Sequence, residues 1–184
     1  MSVSLKTMNK NMIDGQLKPM GINNPIILEA FRNVPREIFI DKEKSSLSYH
    51  EGNILVKNNR WLLSTMVIAR LINCVNISNE DIILEIGACS GYTTAILEKL
   101  CSLVVGVEAD GELRDIANKA LTKIEANSAI IVDGDHKEGN LKITDRKKEL
   151  IVSLGGDNIS PTKIENLLCL YENIKQSFVS VSYT

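Results

Sequence analysis

A glycine-rich turn between a predicted strand and a predicted helix is the part of this sequence best suited to chemistry. Residues 81–94 form a short apolar run, a turn containing Gly87 and Gly91, and the start of a helix. Such a turn lets backbone N–H groups and a helix N-terminus approach a ligand closely, because glycine has no side chain. Glu108 follows Gly91 by seventeen residues and ends the next apolar run. Since α/β units bind ribose hydroxyls with an acidic residue about 20 positions after the glycines, the spacing predicts a nucleotide-type cofactor site.

The order of the predicted strands and helices around these residues indicates an α/β fold. Apolar strands at 82–86, 103–107 and 129–132 alternate with helical patterns at 93–100 and 112–126. A β-α-β-α-β order implies a parallel sheet with right-handed crossovers. The sequence therefore predicts a Rossmann-like parallel sheet.

The residues before this sheet predict mainly helices. Apolar residues between 13 and 20 recur at helical spacing, and Asn24 followed by Pro25 is a cap and first-turn pair that begins a second helix. A short strand is predicted at 54–56, and residues 64–75 form an amphipathic helical pattern. We therefore expect N-terminal helices beside the sheet.

Composition argues against several classes of function. The chain has 184 residues and a formal net charge of −2, which offers no basic surface for nucleic acid or an anionic membrane. No run approaches the ~18 apolar residues of a membrane span, and the N-terminus has no signal-peptide core, so a cytoplasmic protein is expected. Four cysteines without a C-x-x-C pair and two histidines predict no metal site. No pattern indicates the oligomeric state.

Four segments carry a resemblance to a known family. They read MIDGQL at 12–17, GI at 21–22, ILEAFRNVPREIF at 27–39 and LEIGACSGY at 84–92. With these segments, residues 12–139 resemble the protein-L-isoaspartate O-methyltransferase family, whose members are class I methyltransferases dependent on S-adenosyl-L-methionine. The fold implied is that of class I methyltransferases, here truncated and preceded by N-terminal helices.

The resemblance implies a role for each site residue. Glu85, Gly87 and Gly91 would line the methionine end of S-adenosyl-L-methionine, Glu108 would bind the ribose, and Asp135 would reach the adenine amino group. The activity implied is methyl transfer to a carboxylate of a protein or peptide. Such a transfer needs little acid–base help, since the sulfonium is already activated and alignment supplies most of the rate.

The sequence departs from the family pattern at two places in the site. Cys89 stands where the family usually has glycine in the turn. An ungapped alignment on Ala69 places Leu63 where the family has a substrate-binding hydroxyl. The neighbouring Ser64 and Thr65 are therefore the candidate catalytic residues, and isoaspartyl specificity is in question.

The C-terminal part carries a second resemblance. Its segments are EGNLKITDRKKELIV at 138–152, NISP at 158–161 and KIEN at 163–166. Over residues 138–180 the chain resembles a fragment of the long-chain acyl-CoA synthetases, which are adenylate-forming enzymes. That resemblance would make Asp145 a domain hinge and place Arg146 near a nucleotide. No phosphate loop or large nucleotide domain accompanies the fragment, so ligase activity is not expected.

These patterns predict three parts and a chimera of two gene fragments. The parts are an N-terminal helical, substrate-facing region at 1–80, a partial cofactor-binding core at 81–139 and a foreign tail at 140–184. Strands predicted at 149–154 and 177–181 flank a helix predicted at 160–168, and we expect this β-α-β tail to dock beside the first strand of the sheet.

Three functional hypotheses follow from the sequence. The first is a methyltransferase related to the protein-L-isoaspartate enzymes, with S-adenosyl-L-methionine as cofactor and a protein or peptide carboxylate as substrate. The second is a non-catalytic remnant or a cofactor-binding module. The third is a synthetase-related fragment without ligase activity.

Overall fold

The computed structural model describes residues 4–57, 59–134, 151–152 and 158–159. Helical elements come first in the described chain, and helices and strands alternate only between Thr65 and Asp133. In order they are α1 (Leu5–Met12), a π-helical turn (Ile13–Leu17), α2 (Pro25–Asn33), two 3-10 turns (Arg36–Phe39 and Lys42–Leu47), β1 (Ile54–Lys57), β2 (Arg60–Leu62), α3 (Thr65–Cys74), β3 (Ile82–Ile86), α4 (Tyr92–Glu98), β4 (Leu103–Glu108), α5 (Gly111–Lys123), β5 (Ala129–Asp133), β6 (Ile151–Val152) and β7 (Asn158–Ile159). Of the helices in these ranges, none has the length and apolar character needed to cross a membrane.

A parallel sheet of order β3-β4-β5 organises the fold. Glu85 is in register with Gly106, and Glu108 with Asp133. Strand β4 is buried along its whole length, as expected for the middle strand of a parallel sheet that helices cover. Both α4 and α5 pack against β4 and β5. The predicted α/β class and the three predicted strands are confirmed.

Helix α2 begins where its cap predicts. The Asn24 side chain accepts a hydrogen bond from the Ile26 backbone N–H at 2.9 Å, and Pro25 occupies the first turn of α2. Helix α2 ends before Val34, which precedes a proline and is extended. Helix α2 is therefore predicted correctly from local start and stop signals. The start of α1 at Leu5 was not predicted, and the helical spacing that begins at residue 13 forms a π-helical turn at Ile13–Leu17.

A buried aromatic cluster joins the N-terminal helices to α4. The rings of Phe31 and Phe39 meet the Tyr92 ring edge-on, with centroids 6.4 and 5.5 Å away. The fully buried Arg36 guanidinium lies 5.0 Å from the centroid of the same ring, and its Nη2 donates to the Leu63 carbonyl at 2.7 Å. The start of α4, and with it the glycine turn, is therefore packed against the N-terminal region.

The β1–β2 hairpin was predicted only in part. Strand β1 confirms the strand predicted at 54–56, whereas β2 and its pairing with β1 were not predicted. Its strands pair antiparallel, with Ile54 opposite Leu62 and Leu55 opposite Trp61. Asn59 takes a left-handed φ of 65° at the turn. Asparagine tolerates this conformation, so the Asn58–Asn59 dipeptide between two apolar runs was the available signal. The β2 run itself is too short to show a period.

The two short C-terminal strands pair with each other. Ile151 is opposite Ile159 and Val152 is opposite Asn158, antiparallel and in a sheet separate from β3-β4-β5. The strand predicted at 149–154 is present at these two residues, which do not pair with β3. Docking of the tail beside β3 stays a prediction, because most of the tail lies outside the described residues. The helix predicted at 160–168 and the strand at 177–181 lie outside the described residues.

Candidate functional site

The glycine turn after β3 has the backbone that its sequence predicts. Gly87 and Gly91 adopt left-handed φ angles of 82° and 86°. The backbone N–H groups of Gly87 and Ala88 donate to the Val107 carbonyl at 2.8 and 3.0 Å, which holds the turn against β4. Cys89 is also left-handed, with φ 54°, and at this position a non-glycine residue costs roughly 1 kcal/mol. The positive φ at this position therefore explains why the family usually has glycine there.

The Glu108 carboxylate faces this turn. It lies at the end of β4, and its residue is only 1% exposed. Oε2 accepts a hydrogen bond from the Cys89 backbone N–H at 2.8 Å, and Oε1 accepts one from the Asp110 backbone N–H at 3.0 Å. The two features that the sequence singled out, the turn and the acidic residue, are thus brought together.

Arg60 completes the site and was not predicted. It belongs to β2 and pairs with both carboxylate oxygens of Glu108, through Nη1 to Oε1 at 2.8 Å and through Nη2 to Oε2. The Nη2 atom lies 4.0 Å from where a Cβ on Gly87 would be, so the guanidinium sits over the turn. Arg60 and Glu108 are 48 positions apart in the sequence, and no local pattern predicts that they pair.

A second cation ties the same hairpin to the same edge of the sheet. Lys57 Nζ lies 3.0 Å from Asp110 Oδ1 and 2.5 Å from Glu112 Oε2. Asp110 also caps α5, since its Oδ1 accepts the Glu112 and Leu113 backbone N–H groups at 3.0 and 3.1 Å. The hydrogen bond from Lys57 lowers the pKa of Asp110. The β1–β2 hairpin is therefore attached at two points to the carboxyl ends of the strands.

Glu85 lies at the turn in an environment that favours its protonated form. The residue is partly buried near the end of β3, and the Thr94 hydroxyl donates to its Oε2 at 2.5 Å. Burial raises the pKa of Glu85 to about 7, and the nearby Glu108 charge adds to the rise. A carboxyl that titrates near neutrality is typical of functional sites.

Replacing Glu85 with glutamine is expected to flatten the pH dependence of stability. The folded state keeps the Glu85 proton up to a pH of about 7, whereas the unfolded chain releases it near 4.5. Between these values the folded state binds more protons, so stability falls as the pH rises. Glutamine resembles the protonated acid, and Glu85→Gln should gain about 2 kcal/mol over the wild type at pH 8. Urea unfolding from pH 5 to 8 measures this, with the exposed Glu80→Gln as control. Equal slopes for wild type and Glu85→Gln would contradict it.

Ser64 and Thr65, the predicted catalytic residues, use their hydroxyls within the N-terminal region. Ser64 caps α3 by accepting the Val67 backbone N–H at 3.4 Å, and the Thr65 hydroxyl lies 3.5 Å from Gln16 Oε1. Both residues are buried. In the described ranges no hydrogen bond joins them to the turn or to the acidic end of β4, and their catalytic role stays a prediction. Asp135 lies outside the described residues.

The fold and the turn define the class of protein. One solved protein-L-isoaspartate O-methyltransferase superposes with a TM-score of 0.62 at 24% identity, over 69% of this chain and 42% of that one. A Plasmodium falciparum protein described as a protein-L-isoaspartate O-methyltransferase, in complex with S-adenosyl-L-homocysteine, gives a TM-score of 0.59 at 15% identity, over 78% and 67% of the two chains. The chain has the Rossmann-like fold of class I methyltransferases.

The family follows from the sequence comparisons. The model of the family described as protein-L-isoaspartate(D-aspartate) O-methyltransferase (PCMT) matches residues 7–167, and the chain belongs to this family of S-adenosyl-L-methionine-dependent enzymes. A protein-L-isoaspartate O-methyltransferase of Protochlamydia amoebophila is 30% identical over 156 residues, which are 85% of this chain and 74% of that protein. The chain spans only 56% of a protein-L-isoaspartate O-methyltransferase of Rhodopseudomonas palustris and 55% of one of Pelobacter propionicus.

The same comparisons correct the interpretation of the C-terminal part. The family match continues to residue 167, well beyond the boundary predicted at residue 139. The resemblance of residues 138–180 to acyl-CoA synthetases receives no support from the comparisons. Short charged and apolar runs of this kind occur in unrelated folds, so a resemblance without the accompanying nucleotide domain was weak ground for a second origin.

Proposed function

We propose that this chain is a protein-L-isoaspartate O-methyltransferase that binds S-adenosyl-L-methionine between the glycine turn and Glu108. The observation that carries the proposal is the buried Glu108 carboxylate, which accepts the Cys89 backbone N–H of the turn at 2.8 Å. The geometry places an anion beside a glycine turn, which is the pair of features that ribose binding requires.

The described residues fit such a cofactor. The space next to the Gly87 α-carbon holds only the Arg60 guanidinium, 4.0 Å from a Cβ built there. The buried Ser90 hydroxyl in the same turn has no hydrogen-bond partner among the described residues, so a polar ligand would satisfy it. Gly91 precedes α4 and would let the ligand approach the helix without a side chain in the way.

Each predicted residue has a proposed role at this site. Glu108 would orient the ribose through its carboxylate, and Asp135 would contact the adenine. Glu85, with a pKa near neutrality, would face the methionine end together with Gly87 and Gly91. When bound, S-adenosyl-L-methionine supplies a methyl group already activated by its sulfonium. The chain's own residues then have only to align the acceptor and exclude water.

The proposed acceptor is an isoaspartyl carboxylate of a protein, which is the substrate that the family's name states. A carboxylate is ionised at neutral pH and needs no general base before it attacks a methyl group. Residues 1–80 would form the substrate-facing region, with Ser64 and Thr65 at its inner edge. We expect the protein to act in the cytoplasm, and the function does not draw on the predicted synthetase-like tail at 140–184.

A cofactor-binding module without catalysis is the second candidate, and one observation favours it. Strand β3 has a paired neighbour on one side only within the described ranges, and its side chains are only partly buried, with Ile86 56% exposed. Parallel sheets are normally covered on both faces. A sheet that is incomplete at this edge could retain the turn and Glu108 while lacking the part that holds the acceptor.

Calorimetry and a methyl-transfer assay test the proposal together. We expect the purified chain to bind S-adenosyl-L-homocysteine and to transfer a labelled methyl group from S-adenosyl-L-methionine to an isoaspartyl peptide. The same peptide with ordinary aspartate is the matched control and should accept no label. Binding without transfer would support the non-catalytic module, and an absence of binding would contradict both candidates.

A further inference from the structure

The hydrogen-bonding capacity of the Glu108 carboxylate is already in use. A carboxylate has about four acceptor positions. Four donors occupy them here: the backbone N–H groups of Cys89 and Asp110, and Nη1 and Nη2 of Arg60. A ribose that binds to this carboxylate must therefore displace one of the existing donors.

Arg60 is the donor that can leave. The N–H groups of Cys89 and Asp110 belong to the backbone of the glycine turn and of the β4–α5 corner, and they cannot withdraw without unfolding those loops. The Arg60 side chain is 36% exposed, whereas that of Glu108 is fully buried, so the guanidinium lies on the solvent side of the pair. Its position over Gly87 also covers the turn.

The hairpin that carries Arg60 is attached as a unit. Lys57, at the end of β1, bonds Asp110 at 3.0 Å beside the Arg60–Glu108 pair. The two cations lie on paired strands of one hairpin. Glu108 ends β4, and Asp110 lies in the corner between β4 and α5. Closure of the site therefore depends on the position of the β1–β2 hairpin as well as on the side-chain conformation of Arg60.

We propose that Arg60 is an internal competitor for the cofactor's ribose, an autoinhibitory contact that closes the site until the guanidinium leaves Glu108. The inference rests on the proposed function. The free protein then has a closed state, with Arg60 on Glu108, and an open state that accepts the ribose hydroxyls. The apparent affinity for the cofactor is the intrinsic affinity multiplied by the open fraction.

Removal of the competitor should therefore tighten binding. Titration calorimetry with S-adenosyl-L-homocysteine is carried out on the wild type, Arg60→Ala, Arg60→Lys and Arg32→Ala. We expect Arg60→Ala to bind about tenfold more tightly than the wild type, because the closed state is lost. Lysine cannot span both oxygens, so Arg60→Lys should fall between the two. Arg32 forms an exposed ion pair with Glu29, and Arg32→Ala should bind as the wild type does.

The association rate gives a readout that a purely structural role would not move. A pre-existing closed state lowers the observed association rate and leaves the dissociation rate nearly unchanged. The tenfold gain of Arg60→Ala should therefore appear in association, measured by stopped-flow mixing. If Arg60→Ala does not fold, Arg60→Lys shows the same change at a smaller size.

The outcomes separate this inference from the proposed function. Equal or weaker binding by both Arg60 variants, with binding by the wild type intact, overturns the competitor and leaves the methyltransferase proposal standing. A gain found only in dissociation also overturns it. Failure of every folded variant to bind contradicts the proposed function and the inference together, since the inference predicts binding by Arg60→Ala.

Discussion

Glu108→Ala is expected to abolish measurable binding of S-adenosyl-L-homocysteine and to lower the free energy of unfolding by about 3 kcal/mol. The carboxylate accepts two backbone N–H groups, from Cys89 in the turn and from Asp110 at the β4–α5 corner, and it pairs with Arg60. Alanine leaves the buried Cys89 N–H without a partner and Arg60 without its counter-charge. It also removes the carboxylate that is proposed to bind the ribose. Calorimetry and urea unfolding measure the two effects.

Two further variants distinguish the effect of the Glu108 charge on binding from an effect on the stability of the fold. Glu112→Ala removes an acidic side chain from the same corner, but that side chain is 77% exposed, and Lys57 is its one ion-pair partner among the described residues. Its loss should change stability by less than about 0.5 kcal/mol and leave binding intact. Glu108→Gln keeps the size of the side chain and loses its charge, and should weaken binding at least about tenfold. Wild-type affinity in Glu108→Ala would refute the proposed site.

Gly91→Ala is expected to lower the free energy of unfolding by about 3 kcal/mol, and Gly21→Ala by only about 1 kcal/mol. The two glycines have nearly the same left-handed φ, 86° and 85°, so alanine is strained at both positions. A Cβ at Gly91 would lie 3.0 Å from the Cβ and 3.3 Å from the Cα of Ala117 on α5, whereas a Cβ at Gly21 meets nothing within 4 Å. The difference between the two variants therefore isolates the close approach of α5 to the turn.

Chemical denaturation of both variants measures this difference, and a double variant tests its cause. Adding Ala117→Gly to Gly91→Ala should recover part of the loss, because the overlapping methyl group is removed. No recovery, or an equal loss in Gly21→Ala and Gly91→Ala, would show that α5 does not constrain the turn. A confirmed difference would mean that the N-terminus of α4 is positioned by α5, and that the site depends on this packing.

The ion pairs that Lys57 and Arg60 of the β1–β2 hairpin form with acidic residues change the interpretation of the glycine turn. From sequence, the turn and Glu108 formed an open ribose site. In the structure the same carboxylate has its acceptor positions filled by Cys89, Asp110 and Arg60. Affinity for the cofactor is then set by residues on both sides of Glu108, and the hairpin becomes a determinant of binding.

The local elements of this protein were determined by its sequence. The strands β3, β4 and β5 follow apolar runs bounded by turn residues, and α2 begins at the Asn24 cap, so neighbouring residues suffice to define them. The glycine turn and the acidic residue after it were recognised for the same reason, since their chemistry depends on spacing along the chain. The family resemblance of residues 12–139 rests on these same local segments.

Contacts between distant residues were decided by the tertiary structure alone. The Arg60–Glu108 pair joins positions 48 apart, and β2 is three residues long, so neither produces a period or a motif. Side-chain ion pairs and strand partners are chosen by proximity in the folded state, and that information is not present in any short stretch of sequence.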